Sequence, residues 1–368
     1  MSTNLAIGIV GLPNVGKSTL FNALTKKSVP AENYPFCTID PAVGIVAVPD
    51  PRLKKLSELS GSEKIIPAVV EFVDIAGLVR GASEGAGLGN QFLSHIREVD
   101  AIAQVVRIFE DGSVTHVEEG QINPVRDIGI INLELVLADL QTITKRIGNI
   151  ERDAKRGDKE ALAEQEALKK VDEVLSAGKL ATAAHLTDAG REMLRPLHLL
   201  TMKPIMYVLN RKAGGHNLDE TNDGRWHELL AFIEETGAGY AIVDAAIEGE
   251  LNTVADEDKE TLRRDFGVLD DGTDALIRAA YQLLGLMSYF TTGEKETRAW
   301  TVKVGSTAPQ AGAAIHSDFE TKFIRAEVVA YDKLVEAGSF LKARESGWTR
   351  TEGKEYIVKD GDVIEFRV

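Results

Sequence analysis

The stretch Gly11-Leu12-Pro13-Asn14-Val15-Gly16-Lys17-Ser18 decides how the first part of the chain folds. It follows an apolar run, Leu5–Val10, that is typical of a buried parallel strand, and it leads into Ser18–Leu24, which has helical character. Glycines in such a turn let successive backbone N–H groups point inward, and the start of the helix adds positive potential. The pattern in this context predicts a phosphate-binding loop. The alternative is a glycine-rich turn that holds no ligand.

The residue types within the loop indicate separate roles. The Lys17 ammonium is predicted to reach the β- and γ-phosphates of a nucleotide, and the Ser18 hydroxyl is predicted to take one position around a magnesium ion. The predicted contacts with the nucleotide come from six consecutive residues: Asn14, Val15, Gly16, Lys17, Ser18 and Thr19.

Two further segments follow in the order that a switch protein requires. Asp74-Ile75-Ala76-Gly77 comes directly after the apolar run Val69–Val73. Asp74 is therefore predicted on the magnesium side, and Gly77 is predicted to bring its N–H to the γ-phosphate. Thr38 lies upstream, where its hydroxyl can complete the magnesium shell when a triphosphate is present. Together with the phosphate loop, these segments predict a GTPase-type switch with two mobile segments.

One position departs from that pattern. Ras-type switch proteins carry a glutamine after the Asp-x-x-Gly motif, and it orients the attacking water. This chain has Leu78 there, which neither donates nor accepts a hydrogen bond. Leu78 thus occupies the place of a catalytic glutamine, and the water must be positioned by a cation, a backbone group or another protein. Asn14 is a candidate ligand for a monovalent cation, or else an amide that stabilises the loop.

The chain continues in an α/β pattern that a helical segment interrupts. Apolar runs at Ala101–Val106, Ile205–Leu209 and Tyr240–Val243 predict further buried parallel strands. Between the first two, apolar residues recur every three or four positions, which predicts two long antiparallel helices joined by the charged turn Arg152–Lys159. The predicted seam consists of Leu133, Leu137, Leu140, Ile143, Ile147 and Ile150 on one helix and of Leu168, Val171 and Leu175 on the other.

The C-terminal part has a different composition. Arg298–Val304, Ile324–Tyr331 and Val363–Arg367 have strand character, and Lys359–Asp362 is a turn signal before the last of them. We expect a small mixed α+β domain. The predicted division of the chain is a nucleotide-binding domain over 1–127 and 199–282, a helical insertion over 128–198, and a C-terminal domain over 283–368.

Composition narrows the classes of function. Of 368 residues, 44% are hydrophobic and 27% are charged, which is typical of a soluble globular protein. No apolar run is long enough to span a membrane, and the first residues lack the features of a secretory signal. The net charge of -15 has the wrong sign for a protein that coats nucleic acid. The single cysteine, Cys37, suits a reducing compartment. We therefore expect a cytoplasmic protein without a DNA or membrane partner.

Four stretches carry a resemblance to a known family. GLPNVGKSTLFNALT (11–25) and DIAGLVRGASEGAGLGNQFLSHIREVDAI (74–102) resemble the Obg-like ATPase family, also called YchF. RAWTVKVGSTAPQAGAAIHSDFETKFIRAEV (298–328) and YIVKDGDVIEF (356–366) resemble its ubiquitin-like TGS domain. The resemblance implies a P-loop, GTPase-like α/β domain with an inserted coiled-coil arm and a C-terminal β-grasp domain. It also implies ATP hydrolysis with a hydrophobic residue in the glutamine's place, stimulation by potassium, and binding to ribosomes.

The loop that reads the base matches neither pattern known among relatives. Guanine-specific relatives use Asn-Lys-x-Asp, and the resembled family has Asn-x-x-Glu. Here the strand Ile205–Leu209 is followed by Asn210-Arg211-Lys212-Ala213, without a carboxylate. Guanine would leave two donors unpaired at a cost of about 1–3 kcal/mol each. Asn210 can still pair with adenine, so ATP is favoured, although loose specificity stays open. Alternatively, Asn210 is a turn-capping amide, and Arg211 covers the base with its stem or points into solvent.

Three functions are consistent with these residues. The first is a nucleotide-dependent switch that slowly hydrolyses ATP with Mg²⁺ and associates with the ribosome; a GTPase of the Obg type is its variant. The second is an adaptor that holds nucleotide without turnover, for which Leu78 is an argument. The third, a metabolic phosphotransferase, is disfavoured because no additional acid or base motif marks an acceptor site. The charged turn Arg152–Lys159 is either a solvated hairpin or a contact for ribosomal RNA.

Overall fold

The computed structural model describes residues 5–26, 42–75, 87–110, 122–221, 223–266 and 272–368. Its strands are β1 (Ala6–Gly11), β2 (Val43–Ala47), β3 (Lys64–Ile66), β4 (Val69–Asp74), β5 (Ala101–Arg107), β6 (Phe109–Glu110), β7 (Ile205–Asn210), β8 (His216–Asn217), β9 (Gly239–Val243), β10 (Leu286–Thr292), β11 (Glu296–Lys303), β12 (Arg325–Ala330), β13 (Arg350–Glu352) and β14 (Asp362–Arg367).

The α-helices of the described residues are α1 (Lys17–Thr25), α2 (Pro51–Ser60), α3 (Gly87–Glu98), α4 (Pro124–Lys155), α5 (Lys159–Ser176), α6 (Asp188–Leu194), α7 (Gly224–Thr236), α8 (Ala245–Leu251), α9 (Asp256–Asp265), α10 (Gly272–Leu283), α11 (Ala308–Ala313), α12 (Asp318–Lys322), α13 (Tyr331–Ala337) and α14 (Phe340–Glu345). Short 3₁₀ turns lie at Ala181–Ala183, Arg195–Leu197 and Leu200–Met202. None of the helices in the described ranges combines the length and the apolar character needed to cross a bilayer.

The chain divides into two compact units. One unit consists of Ala6–Lys26 and Phe72–Leu276, and we call it the P-loop unit. The other consists of Met1–Leu5, Lys27–Glu71 and Ile277–Val368, and we call it the C-terminal unit. The boundary between the two falls inside β4, so that this strand contributes to both.

A parallel sheet forms the centre of the P-loop unit. Strands β1, β5, β7 and β9 pair in parallel in that order, with Val10 opposite Gln104 and Val105 opposite Val208. The end of β4 lies on the other side of β1. Every residue of β5 and β7 is buried, as expected for a sheet covered on both faces. All five strands predicted from apolar runs are present, but burial is confirmed fully only for β5 and β7: β1 is buried except at its first residue, β4 is partly exposed, and β9 begins with two exposed residues.

Two antiparallel helices form an arm within the P-loop unit. The Asn123 side chain caps α4, and Gly157 reverses the chain with φ 84°. Asp158 then caps α5 by accepting a hydrogen bond from the Ala161 N–H at 2.8 Å. Arg146 and Glu164 join the two helices through paired contacts of 2.6 and 2.8 Å. The predicted pair of helices is confirmed.

The predicted seam of the arm is correct only from Leu140 onward. Ile143 and Ile150 are buried against α5, but Leu133 and Leu137 are 52% and 37% exposed. The first turns of α4 instead bury a different face, with Ile128, Ile131 and Leu135 at 0–1% exposure. This face packs against the parallel sheet and α7. The helix therefore changes its buried face along its length, which a single apolar spacing does not reveal.

The chain segment that returns from the arm is held by one buried carboxylate. Asp139 on α4 accepts hydrogen bonds from the backbone N–H groups of Leu200 and Thr201 at 2.9 and 2.8 Å, and from the Thr201 hydroxyl at 2.6 Å. Burial raises the pKa of Asp139. Leu200 and Thr201 are completely buried, so no water is available to replace this acceptor.

Removing this acceptor is expected to destabilise the P-loop unit. Asp139→Ala leaves two buried N–H groups unpaired, so we expect the free energy of unfolding in urea to fall by about 3 kcal/mol. Asp139→Asn keeps one acceptor oxygen and is expected to lose roughly half as much. A loss for Asp139→Ala of less than about 0.5 kcal/mol would show that the contact does not hold the segment.

A mixed six-stranded sheet forms the centre of the C-terminal unit. Its order is β13-β12-β14-β10-β11-β3. The hairpin β10–β11 is antiparallel, β14 runs parallel to β10, and β12 runs antiparallel to β14. Helix α11 covers one face, where the Tyr289 hydroxyl donates to the Ala311 carbonyl at 2.8 Å. Gly361, with φ 86°, forms the turn predicted before the last strand. The predicted α+β domain is confirmed.

A segment from the first quarter of the chain completes this sheet. Strand β3 pairs in parallel with β11, with Thr297 opposite Ile65. Arg52 on α2 forms an ion pair with Asp360 at 2.7 Å and lies 4.9 Å from the centre of the Phe290 ring. Helix α2 and strand β3 therefore group with the C-terminal strands, whereas the predicted division placed them in the nucleotide-binding domain. The three predicted domain ranges otherwise stay a prediction.

Candidate nucleotide-binding site

The loop between β1 and α1 has the backbone conformation that phosphate binding needs. Asn14 and Gly16 both have positive φ, 65° and 95°. Gly16 begins α1 without any side-chain cap, and the first turn of the helix carries no acidic residue. The first N–H groups of a helix have no partner within it and point beyond its end. The N–H groups of Lys17, Ser18 and Thr19 therefore form a positive, concave site suited to an anion.

Asp74 lies at the end of β4, beside this loop. Its Oδ1 is 4.0 Å from the Lys17 Nζ, and the two side chains are 24% and 13% exposed. Among the described residues, Oδ1 is buried without a hydrogen-bond partner. Magnesium prefers such oxygen ligands and commonly binds through one or two carboxylates together with substrate phosphates. Asp74, with the exposed hydroxyl of Ser18, therefore fits a magnesium position, although no metal or nucleotide is part of the structure.

Some predicted site residues lie outside the described residues. Thr38, Gly77 and Leu78 all fall in the ranges 27–41 and 76–86, which the structure does not describe. Their predicted roles at the magnesium ion, the γ-phosphate and the attacking water therefore stay predictions.

Asn210 connects the phosphate loop to two strand ends. Its Nδ2 donates to the Val15 carbonyl at 2.8 Å, and its Oδ1 accepts from the Ala245 N–H at 3.1 Å. The residue is 5% exposed. This is the structural role that a capping amide would have. One Nδ2 hydrogen and one Oδ1 lone pair are left by these two contacts, so base reading by Asn210 stays a prediction.

The segment after Asn210 is held in a fixed conformation. Asn217 accepts from the Lys212 N–H at 3.0 Å and donates to the Lys212 carbonyl at 2.9 Å. Arg211 does not point into solvent: its side chain is 16% exposed, and Nη1 lies 3.8 Å from both Asp219 and Glu220. Burial raises the pKa of Asp219. Whether the stem of Arg211 covers a base stays a prediction.

One residue of this region was not predicted. Asp244 follows β9 and is 2% exposed. Its Oδ1 accepts from the N–H groups of Ala246 and Ile247 at 3.1 and 3.0 Å. Its Oδ2 accepts from the N–H of Ala213, so one carboxylate connects the loops after β7 and β9. An aspartate between a strand and a helix is a sequence signal for a helix cap, but nothing in the sequence indicates the contact with Ala213.

Two family models match the chain. The model described as "50S ribosome-binding GTPase" matches residues 6–131, which include the phosphate loop and Asp74. The model of the YchF-GTPase C-terminal domain, described as "Protein of unknown function (DUF933)", matches residues 286–368, which include β10 to β14.

Similar proteins cover nearly the whole chain. "Ribosome-binding ATPase YchF" of Bacillus subtilis is 52% identical over 367 residues, with 99% of each chain covered. The protein of the same name from Escherichia coli O157:H7 is 46% identical over 359 residues, with 98% of each covered. The solved YchF GTPase of Schizosaccharomyces pombe is 36% identical, has a TM-score of 0.88, and is matched over 100% of this chain and 98% of its own.

These similarities agree with the architecture on which the site is built. The predicted fold class is confirmed: a P-loop, GTPase-like α/β domain carries an inserted helical arm and is followed by a C-terminal β-grasp domain. The two YchF relatives cover 98–99% of this chain, so the similarity extends from the phosphate loop to the C-terminal strands. The chain belongs to the YchF family.

Proposed function

We propose that this protein is a nucleotide-dependent switch that hydrolyses ATP slowly and associates with the ribosome in the cytoplasm. The observation that carries the proposal is the phosphate loop, in which Gly16 begins α1 uncapped and Lys17 lies 4.0 Å from Asp74. The names of the relatives in Bacillus subtilis and Escherichia coli support the same activity and the same partner.

In this proposal the residues of the loop bind and orient the triphosphate. The N–H groups at the start of α1 hold the β-phosphate, and the Lys17 ammonium neutralises charge on the β- and γ-phosphates. Asp74 and Ser18 hold a magnesium ion, which supplies charge neutralisation when bound. Asn210, at the end of β7, joins the loop at Val15 to the start of α8 at Ala245 through its side-chain amide.

Positioning of the attacking water is the step that the proposed site residues support least. Leu78 stands where a glutamine would orient the attacking water, so slow turnover is expected when the protein acts alone. We propose that Asn14 takes part in a potassium site that replaces a missing positive side chain. Asn14 lies in the phosphate loop with a φ of 65° and is exposed, so it is accessible to a cation there.

The potassium proposal makes a prediction about turnover. Phosphate release by the wild-type protein is expected to be faster in potassium chloride than in sodium chloride at equal ionic strength. Asn14→Ala is expected to abolish this difference, and because Asn14 is also a predicted nucleotide contact, the two salts are compared at saturating ATP. If the variant keeps the full difference between the two salts, Asn14 is not a potassium ligand.

The base is expected to be adenine rather than guanine. Ala213 supplies no carboxylate to the two donors on the guanine edge, and leaving them unpaired costs about 1–3 kcal/mol each. The described relatives are named both ATPase and GTPase, so the preference itself must be measured. GTP turnover is proposed to be weaker than ATP turnover.

The ribosome is proposed as the partner through which the switch acts. Two comparisons support it: the relatives named as ribosome-binding, and the 50S ribosome-binding model that matches residues 6–131. As Thr38 and Gly77 gain or lose the γ-phosphate, the affinity for the ribosome is proposed to change.

One experiment tests the proposal as a whole. Phosphate release from ATP and from GTP is measured with and without purified ribosomes and potassium, and ribosome binding is followed by co-sedimentation in each nucleotide state. We expect slow ATP turnover that ribosomes or potassium accelerate. Background turnover under every condition, together with nucleotide-dependent sedimentation, would instead indicate an adaptor. Faster turnover of GTP would indicate a GTPase of the Obg type.

A further inference from the structure

Several hydrogen-bond donors of the two loops beyond β7 and β9 are already used inside the protein. Asp244 accepts from the backbone N–H groups of Ala213, Ala246 and Ile247. The Ala245 N–H donates to Asn210 Oδ1 at 3.1 Å. These four N–H groups lie at the strand ends beside the phosphate loop, which is where a nucleotide base lies in open parallel sheets. A base that needs a donor from them finds none without breaking an existing bond.

The same carboxylate still has capacity to accept. An ionised aspartate has about four lone-pair sites. Two contacts, at 3.1 and 3.0 Å, fill Oδ1, and the contact with Ala213 occupies one site on Oδ2. With respect to the described residues, a single acceptor site therefore remains on Oδ2. It lies next to Ala213, the position from which guanine-specific relatives read the base.

Adenine and guanine place different demands on such an edge. Adenine carries an exocyclic amine, which donates, where guanine carries the O6 carbonyl, which accepts. Guanine also has two adjacent donors, at N1 and N2, that need two acceptors side by side. Asp244 offers one remaining acceptor site next to Ala213, and the N–H groups beside it are already hydrogen-bonded. This arrangement suits the single amine of adenine. It leaves O6 of guanine without a donor among these backbone N–H groups, and it leaves one N–H group of guanine without an acceptor.

We propose that Asp244 determines the base specificity of this protein, by accepting the 6-amine of adenine and by withholding the Ala213, Ala246 and Ile247 N–H groups from a carbonyl at that position. The proposal rests on the proposed function, since it requires that a nucleotide occupies the phosphate loop. It names the residue that replaces the carboxylate missing at Ala213.

Asp244 also caps α8, so a test must separate specificity from stability. Asp244→Asn keeps an acceptor for the helix cap but places an amide donor at the base edge. Asp244→Ser keeps a short capping oxygen and releases the Ala213 N–H. Both changes favour a base carbonyl over a base amine. Each variant loses the hydrogen bond from the 6-amine of adenine and gains one to the O6 carbonyl of guanine. The ratio of ATP to GTP affinity is therefore expected to fall by about tenfold or more.

The measurement is a calorimetric titration of each protein with non-hydrolysable analogues of ATP and GTP in magnesium buffer. A purely structural role of Asp244 would weaken both nucleotides equally and leave their ratio unchanged, which would overturn the proposal. A control variant, Asp158→Asn, changes an aspartate that caps α5 at the arm tip and is expected to leave the ratio unchanged.

Base analogues test the same contact in the unmodified protein. Purine riboside triphosphate lacks the 6-amine, and inosine triphosphate carries a carbonyl there. Both are expected to bind the wild-type protein several-fold more weakly than ATP, and the difference is expected to disappear in Asp244→Asn. Equal binding of ATP and purine riboside triphosphate by the wild-type protein would contradict the proposal even if the variants did not fold.

A carboxylate exchange provides the reverse test. The double variant Ala213→Asp with Asp244→Ser moves the carboxylate to the loop after β7 and is expected to favour guanine. Ala213→Asp alone places two carboxylates together and is expected to weaken the binding of both nucleotides. If the wild-type protein binds no nucleotide, the proposed function fails. If it binds ATP but the variants leave the ratio unchanged, only the role of Asp244 fails.

Discussion

Lys17→Ala is expected to raise the Kd for Mg·ATP by at least about a hundredfold, which corresponds to about 3 kcal/mol. The Lys17 side chain is 13% exposed, its Nζ lies 4.0 Å from Asp74, and its ammonium is predicted to contact the β- and γ-phosphates. Hydrogen bonds to charged groups contribute about 1.5–3 kcal/mol each, and the variant loses both. Calorimetric titration with a non-hydrolysable ATP analogue measures the change.

A second lysine on the same helix provides the control. Lys26, at the other end of α1, is exposed, and its Nζ donates to the Gly249 carbonyl at 3.3 Å. Lys26→Ala removes the same charge without removing a phosphate contact and is expected to change the Kd less than about threefold. Equal effects of the two variants would mean that only net charge matters. Unchanged affinity in Lys17→Ala would refute the assignment of the phosphate loop.

Gly16→Ala is expected to abolish nucleotide binding and to lower the free energy of unfolding by about 2–4 kcal/mol. Gly16 has a φ of 95°, which side chains other than glycine rarely adopt, and an added Cβ would lie 2.2 Å from Asn210 Nδ2. Asn210 would have to move and would lose its contacts with Val15 and Ala245. Urea unfolding and titration with ATP measure the two effects.

A glycine in the arm provides a control position, where an added Cβ meets no close side-chain contact. Gly148 lies in α4 and is exposed, and apart from its two chain neighbours and the backbone of its own helix no atom of the described residues lies within 4 Å of an added Cβ. Gly148→Ala is expected to stabilise the protein by about 0.5–1 kcal/mol through helix propensity and to leave nucleotide binding unchanged. A Gly16→Ala protein that binds ATP as tightly as Gly148→Ala would contradict the described contact between the loop and Asn210.

Local patterns predicted much of the fold. Strand β1 and helix α1 lie within one or two residues of the predicted ranges Leu5–Val10 and Ser18–Leu24, because apolar runs and the loop motif are local signals. The arm was also predicted, since its spacing persists over many turns. Leu133 and Leu137 were assigned to the wrong face because two apolar stripes overlap on α4, and only the packing partner decides which one is buried.

Contacts between distant segments were not predictable. Strand β3 is three residues long and completes a sheet whose other strands lie more than two hundred residues later. Asp244 contacts Ala213 across 31 positions, and Asn210 contacts Val15 across 195. The order of the motifs identified Asn210 as a site residue. It did not indicate that the Asn210 amide forms hydrogen bonds with the backbone groups of Val15 and Ala245. Hydrogen-bond partners at this separation depend on how the strands are arranged, which local residue patterns do not encode.

The most direct test of the account is a crystal structure of the protein with magnesium and a non-hydrolysable ATP analogue. We expect the β-phosphate within about 3 Å of the N–H groups that begin α1, with the Lys17 ammonium on the β- and γ-oxygens. Phosphates bound elsewhere, with the side chain of Lys17 still turned only toward Asp74, would contradict it.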